Sequence, residues 1–250
     1  MLYLHLYMNI VKLDAIDSTN SYLKDLVKQK HVENWTVVIA DHQTQGKGQF
    51  DNKWITEKGK NLTFSVLIRF KKLNAEKQFY LNYAISIALY NVLKYYIPEK
   101  LAVKWPNDIL SANQKLGGIL IECIIKNSTI DFAIVGIGLN VNQQDFPSEL
   151  TLATSLKKLL NTSINKEELL DKILLEMQYQ MLLIQKQNFT DIKYLYEDIL
   201  YKKGIPSMFI DGNDHTFMGK IVGISTEGKL RIELENESLK DFDLKEIKFA

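Results

Sequence analysis

Lys104-Trp105-Pro106-Asn107-Asp108, followed after a short gap by Lys115-Leu116-Gly117-Gly118, is the stretch that decides the reading of this chain. Proline pushes the residue before it towards extended backbone, so Pro106 sets a stiff turn between Lys104 and Asp108. Lys115 then leads a glycine pair into the apolar run Ile119-Leu120-Ile121. Glycines at a strand mark places where another group comes close to the backbone. Charges on a stiff turn beside a glycine-opened strand point to an anionic ligand lying against a sheet. A surface ion pair with a snorkelling lysine is the plainer alternative. It is weakened because both lysines sit at the edges of apolar strands.

Three further stretches point the same way. Asp17-Ser18-Thr19-Asn20 precedes Tyr22, Leu23, Leu26 and Val27 at helical spacing. Taken alone it is an N-cap by Asp17 or Ser18; its hydroxyls and amide equally suit a small polar head group. Gln43-Thr44-Gln45-Gly46-Lys47-Gly48-Gln49 runs on to Trp54. The Gly-x-Gly element lets backbone N–H groups approach phosphate, Lys47 adds charge, and Trp54 offers a flat face to a purine. A solvated loop beside a core tryptophan is the alternative. Gly136-Ile137-Gly138-Leu139-Asn140-Val141-Asn142 ends an apolar strand. It fails as a dinucleotide fingerprint, because Val141 holds the third glycine position and no helix follows directly. Asn140 there suits an adenine edge. Gly223 to Leu230 nearly fits P-loop spacing, but Leu230 lacks the hydroxyl and the context is a hairpin.

The 250 residues carry 31 basic and 30 acidic side chains, net +1, which argues against a general nucleic-acid binder. A hydrophobic content of 46% is enough for a real core. No apolar run reaches the roughly 20 residues of a membrane span, and the N-terminus lacks a signal-peptide pattern. The single Cys123 cannot form an internal disulfide and reads as a small buried hydrophobe in a reducing cytoplasm. His5, His31, His42 and His215 show no metal-ligand spacing, so no metal ligand is assigned. Arg69 and Arg231 are the only arginines.

Periodicity predicts strands over Asn9–Ile16, Trp35–Ala40, Leu62–Phe70, Leu101–Trp105, Gly118–Ile125 and Ile130–Val141, with Gly118–Ile125 central because it is nearly all apolar. It predicts helices after Ser18 and over Ala75–Ile97, Asn165–Lys186 and Thr190–Leu200. Asp41–Lys53 reads as a loop. Beyond Lys202–Pro206 the chain turns to short strands, Met208–Ile210, Met218–Ser225, Lys229–Glu235 and Lys245–Phe249, punctuated by Asp211-Gly212 and Glu227-Gly228.

In this order and spacing the four motifs resemble the biotin protein ligases, over essentially the whole chain; KWPND followed by KLGG is the specific pair. The resemblance is to the monofunctional type without an N-terminal DNA-binding domain, since the first strand begins near Asn9. It implies an α+β fold: a mixed β-sheet flanked by helices, related to class II aminoacyl-tRNA synthetases, over residues 1–203, and a small C-terminal SH3-like β-barrel over 204–250. It implies that ATP and biotin, with Mg²⁺, give biotinyl-5′-AMP. Biotin then passes to a lysine of a biotin carboxyl carrier domain of a biotin-dependent carboxylase. Nucleic acid and membrane are not expected partners, and a homodimer is left open.

Carried over by position, Ser18, Thr19, Asn20, Gln43, Lys47, Gly48 and Gln49 hold biotin, together with Lys115, Gly117, Gly118 and Gly138. Gly136 serves the same close approach. Trp54, Asn107, Lys115 and Asn140 take ATP, and Lys115, Asp108 and Lys47 carry the catalysis. The loop departs from the family's arginine-rich pattern: Lys47 stands for the first arginine, and Phe50-Asp51 for an Arg-Gly pair. Lysine keeps charge but loses bidentate phosphate binding, and Asp51 adds negative charge, which bears on retention of the adenylate. Two other readings stand beside this one: a lipoate–protein ligase, and a non-catalytic biotin sensor.

Overall fold

The computed structural model describes residues 8–250; Met1–Tyr7, with His5, and the side chain of Asp51 lie outside the described residues. Seven strands form a mixed sheet: β1 (Asn9–Leu13), β2 (Thr36–Ala40), β3 (Leu62–Asn74), β4 (Leu101–Lys104), β5 (Asp108–Ser111), β6 (Gln114–Lys126) and β7 (Thr129–Leu139). Their spatial order is β1-β2-β3-β7-β6-β5-β4. Only β1 and β2 run parallel; every other neighbouring pair is antiparallel. The middle strand is therefore β7. The expected central strand, β6, lies one place outward, and Ile121, Cys123 and Ile124 on it are only half-buried.

The two faces of this sheet are covered unequally. Along β7, Ala133, Val135, Ile137 and Leu139 join the main core, as do Phe64, Val66 and Ile68 of β3. Helices α2 (Phe79–Leu93) and α4 (Lys166–Gln185) contribute most of its opposing side chains, with Ile192 and Tyr196 from α5 (Phe189–Asp198). The other face carries one helix, α1 (Thr19–Gln29), whose Leu23 packs with Val38, Leu67, Phe132 and Ile134. Side chains alternate across a strand, so β7 sends Phe132 and Ile134 under α1. The next two residues on that face are Gly136 and Gly138. Apolar cover stops where the glycines begin, and the sheet surface there is left for something else to occupy.

The expected helix over 75–97 is interrupted: a 3-10 turn at Ala75–Lys77 precedes α2. The turn is held by Asn74, whose side chain accepts from Glu76 N–H, a local cap that helical periodicity does not register. A short helix α3 (Leu156–Leu160), capped by Ser155, was not anticipated either. The C-terminal strands β8 (Pro206–Asp211), β9 (Thr216–Ile224), β10 (Leu230–Leu234), β11 (Leu239–Phe242) and β12 (Ile247–Phe249) form an all-antiparallel sheet, ordered β11-β10-β9-β8-β12. Its β9–β10 turn is the hairpin read at Gly223 to Leu230, closed by Ser225 N–H donating to Lys229 O at 2.9 Å.

Candidate active site

The KWPND motif is the β4–β5 turn. Its Pro106 carbonyl accepts from the Tyr196 hydroxyl at 3.0 Å and from Asn82 Nδ2. Burial pushes the Tyr196 pKa well up, so the hydroxyl stays protonated and able to donate. Trp105 Nε1 donates to Gly228 O of the β9–β10 turn at 3.2 Å. Asn107 Nδ2 donates to Ile119 O at 2.6 Å, tying the turn to β6. The turn is thus fixed from three sides. Lys104 faces away from the cavity side chains, with its ammonium 5.6 Å from the Phe249 ring centroid.

The second lysine behaves differently. Lys115 Nζ lies 2.6 Å from Asp108 Oδ1 and 5.7 Å from the Trp54 ring centroid. A Cβ on Gly118 would sit 3.5 Å from Lys115 Cε and 3.6 Å from both Lys115 Nζ and Asp108 Oδ1. Gly118 therefore opens onto the ion pair. Gly117 does not: a Cβ there would meet Leu139 Cδ1 at 3.1 Å, inside the packed face.

Opposite lies the start of α1, where Ser18, Thr19 and Asn20 are all buried. Ser18 holds the N-cap position, yet its side chain makes no cap bond. Its hydroxyl is left over for another partner. Thr19 donates from both N–H and Oγ1 to Gln43 Oε1, at 2.8 and 3.1 Å. Ser65 Oγ of β3 lies 2.7 Å from Thr19 Oγ1 and 2.6 Å from Asn20 Oδ1. Asn20 Nδ2 donates to Glu122 Oε2 at 3.0 Å, and Lys24 Nζ to Glu122 Oε1 at 2.8 Å. Burial pushes the Glu122 pKa up, but the hydrogen bonds from Lys24 and Asn20 outweigh it and hold the carboxyl below its ordinary range. Sequence reasoning missed Ser65 and Glu122; a buried hydroxyl or carboxylate on the face of Gly136 was the available signal.

The Gly loop closes the remaining side. Gly48 N–H donates to Asn52 O at 2.7 Å and Trp54 N–H to Gly46 O at 2.9 Å, so residues 46–54 fold back on themselves. Lys47 Nζ donates to Ser21 Oγ at 2.8 Å. The Trp54 indole lies on Gly138, where any Cβ would collide with its ring, and the Asn20 amide lies on Gly136 in the same way. The two strand glycines admit side chains from the loop and from α1.

The result is one cavity of about 170 Å³. Ser18, Thr19, Asn20, Gln43, Lys47, Gly48, Gln49, Trp54, Asn107, Asp108, Lys115, Gly118, Gly136 and Gly138 all line it, with Lys53 an unforeseen third cation. Gly117 and Asn140 are outside the lining. Asn140 is buried, its Nδ2 donates to Thr154 O at 3.0 Å, and its Oδ1 has no partner among the described residues. It remains coupled to the site through its N–H, which donates to Leu116 O at 2.8 Å, next to Lys115. Among the described residues no cluster of three His, Cys, Asp or Glu is placed to hold a metal ion, and no helix is long and apolar enough to cross a membrane.

A mixed sheet carries a polar helix start, a glycine-rich loop and a lysine–aspartate pair around one cavity. The chain belongs to the biotin/lipoate A/B protein ligase family, whose match covers residues 13–140. It is 33% identical over 236 residues to the bifunctional ligase/repressor BirA of Bacillus subtilis, covering 93% of this chain and 71% of that one. It is 29% identical over 178 residues to the biotin–[acetyl-CoA-carboxylase] ligase of Mycobacterium tuberculosis, covering 68% and 64%. Among solved structures, the biotin protein ligase of Aquifex aeolicus in complex with biotin and ATP superposes with a TM-score of 0.80 at 26% identity, covering 98% of this chain and 100% of that one.

Proposed function

We propose that this protein is an ATP-dependent, AMP-forming biotin protein ligase that makes biotinyl-5′-AMP and then transfers biotin to a lysine of a carrier domain. The observation that carries the reading is the meeting of Lys115, Asp108 and Trp54 with the buried Ser18–Asn20 row in one cavity. Lipoate–protein ligases share the family. The biotin reading is favoured because the Mycobacterium tuberculosis relative and the solved Aquifex aeolicus structure, matched over 68% and 98% of this chain, are named for biotin.

In the first step the biotin carboxylate attacks the α-phosphate of ATP, the α–β bond breaks and pyrophosphate leaves; both reactants are anions. Two unit charges 4 Å apart repel by about 4 kcal/mol at an effective dielectric near 20. Lys115, Lys47 and Lys53 stand on the cavity wall to offset that, and charge fixed where it develops in the transition state is often the largest catalytic term. Ser18, Thr19 and Gln43 supply donors and acceptors for the polar ring system of biotin. Trp54 supplies the stacking face for adenine, with the unpaired Asn140 Oδ1 available to its amino group once the indole moves. A ligand site usually encloses several hundred Å³, more than the cavity offers with Trp54 seated on Gly138. On this reading the loop swings out, admits both substrates and closes over the hydrolysis-prone anhydride.

In the second step the carrier amine attacks the carbonyl and AMP leaves. Asp108, held by Lys115 until that lysine turns to phosphate, orients or deprotonates the amine. Mg²⁺ would arrive on the ATP phosphates, in keeping with its retention of water ligands. Residues 1–203 are read as the catalytic unit and 204–250 as the accessory β module. The partner is the carrier domain of a biotin-dependent carboxylase, and a cytoplasmic setting follows from that substrate. Pyrophosphate–ATP exchange tests this: biotin should support it and lipoate should not. Exchange with lipoate alone would overturn the assignment.

A further inference from the structure

The tip of the ligand loop carries an unusual pair. Phe50 has φ of +54°, a left-handed backbone conformation that is an outlier for a bulky residue. Its ring is half exposed, at 48%, although it lines the cavity. Over that ring, 4.1 Å from its centroid, stands the ammonium of Lys245, the shortest cation–ring distance among the described residues. Lys245 is itself at φ of +68°. It is presented by the turn between β11 and β12, which is braced locally. Glu246 N–H donates to Asp243 O at 3.1 Å, Leu244 N–H to Asp243 Oδ1 at 2.7 Å, and Asp243 N–H to Glu246 Oε2 at 2.7 Å.

Two disfavoured conformations facing one another persist when their surroundings over-determine them. Among the described residues, the hydrogen bonds of Gly48, Gln49 and Asn52 stay inside the loop, and the Lys47 ammonium donates to Ser21 Oγ. We propose that Lys245 is a positioning residue. From the C-terminal β sheet it clamps Phe50 and so sets the closed population of the ligand loop. The clamp also places a cation beside a loop whose own sequence offers Gln49 and Phe50 at this point. The structural part stands on the geometry alone; its kinetic consequence rests on the ligase reading.

The test measures hydrogen exchange of amides 47–53 in the ligand-free full-length protein, together with KM for biotin and kcat for pyrophosphate release. Lys245→Gln should raise exchange and KM by about three- to tenfold, the range of an exposed to partly desolvated cation–π contact. The change should fall in KM rather than kcat. Lys245→Arg, which keeps a cation over the ring, should restore both. In a Phe50→Leu background Lys245→Gln should add nothing further. Unaltered loop exchange in Lys245→Gln, or the same increment with and without Phe50, would overturn the clamp. Absence of pyrophosphate release in the wild type would remove the ligase reading, and the exchange result would still decide the clamp.

Discussion

The two faces of the seven-stranded sheet are made from the same strands and have opposite uses. On one face β7 presents Ala133, Val135, Ile137 and Leu139 to a helical layer, and every one is nearly inaccessible. On the other it presents Phe132 and Ile134 to a single helix, then Gly136 and Gly138 to Asn20 and Trp54. β6 repeats the pattern: Ile119 is in the core, while Gly118 opens on the Lys115–Asp108 pair. A one-residue step along either strand moves from stability to ligand binding. The lesson is that the pocket is an interruption of packing, placed where side chains were removed from a face that could otherwise have been a second core.

That contrast makes the variants separable. Lys115→Ala, on the open face, should lower the rate of pyrophosphate release a hundredfold or more, as losing one preorganised electrostatic group does; a near-normal rate would take Lys115 out of the chemistry. Gly138→Val should weaken biotin binding at least tenfold, because its side chain would fill the space over the strand that the indole occupies in this structure and the ligand needs once the loop opens. Calorimetry reads this directly, and unchanged affinity would mean that Gly138 is not part of the biotin wall. Its neighbour Ile137→Ala should do the reverse. It should destabilise the fold by about 2–5 kcal/mol in chemical denaturation, as core truncations do, with KM little changed. Should the two variants exchange phenotypes, the division of faces is wrong.

A smaller effect is expected at Glu122. Its folded carboxyl sits lower than the 4.5 of an unperturbed glutamate, so its stabilising contribution is present at neutral pH and lost as the pH falls through the acid range below 4.5. Glu122→Gln should flatten that part of the pH–stability curve and raise KM for biotin a few-fold through Asn20. A curve identical to wild type would place the Lys24–Glu122–Asn20 chain outside the energetics. The smallest effect concerns Cys123, whose thiol burial pushes up to about 11. Alkylation at neutral pH should be slow in the folded protein and fast only on unfolding; rapid native labelling would contradict its place behind the sheet.

Much of this was legible in the chain because the site is built from short local motifs. Residues of Ser18-Thr19-Asn20, the Gly loop, KWPND and KLGG all line the one cavity. Strand alternation from Ile119 would also have told Gly118 from Gly117, but not that Lys115 shares the open face with Gly118, because a register shift at Leu116 breaks the alternation there. What stayed hidden depends on partners distant in sequence. Ser65 is an ordinary strand residue until Thr19 and Asn20 fold against it, 46 and 45 positions away. β5 is a four-residue strand concealed in the motif itself, and β11 carries Lys240 and Asp241 in place of an apolar run. Neither the left-handed backbone at Phe50 nor its pairing with Lys245 has any signature in composition or period.

Mass measurement of a biotin carboxyl carrier domain, incubated with this protein, ATP and biotin, tests the account most directly. A gain of about 226 Da on one carrier lysine, lost with Lys115→Ala, is the predicted outcome, as condensation of biotin with an amine requires. An unmodified carrier beside a protein that still binds biotin would contradict it and leave a binding protein in place of a ligase.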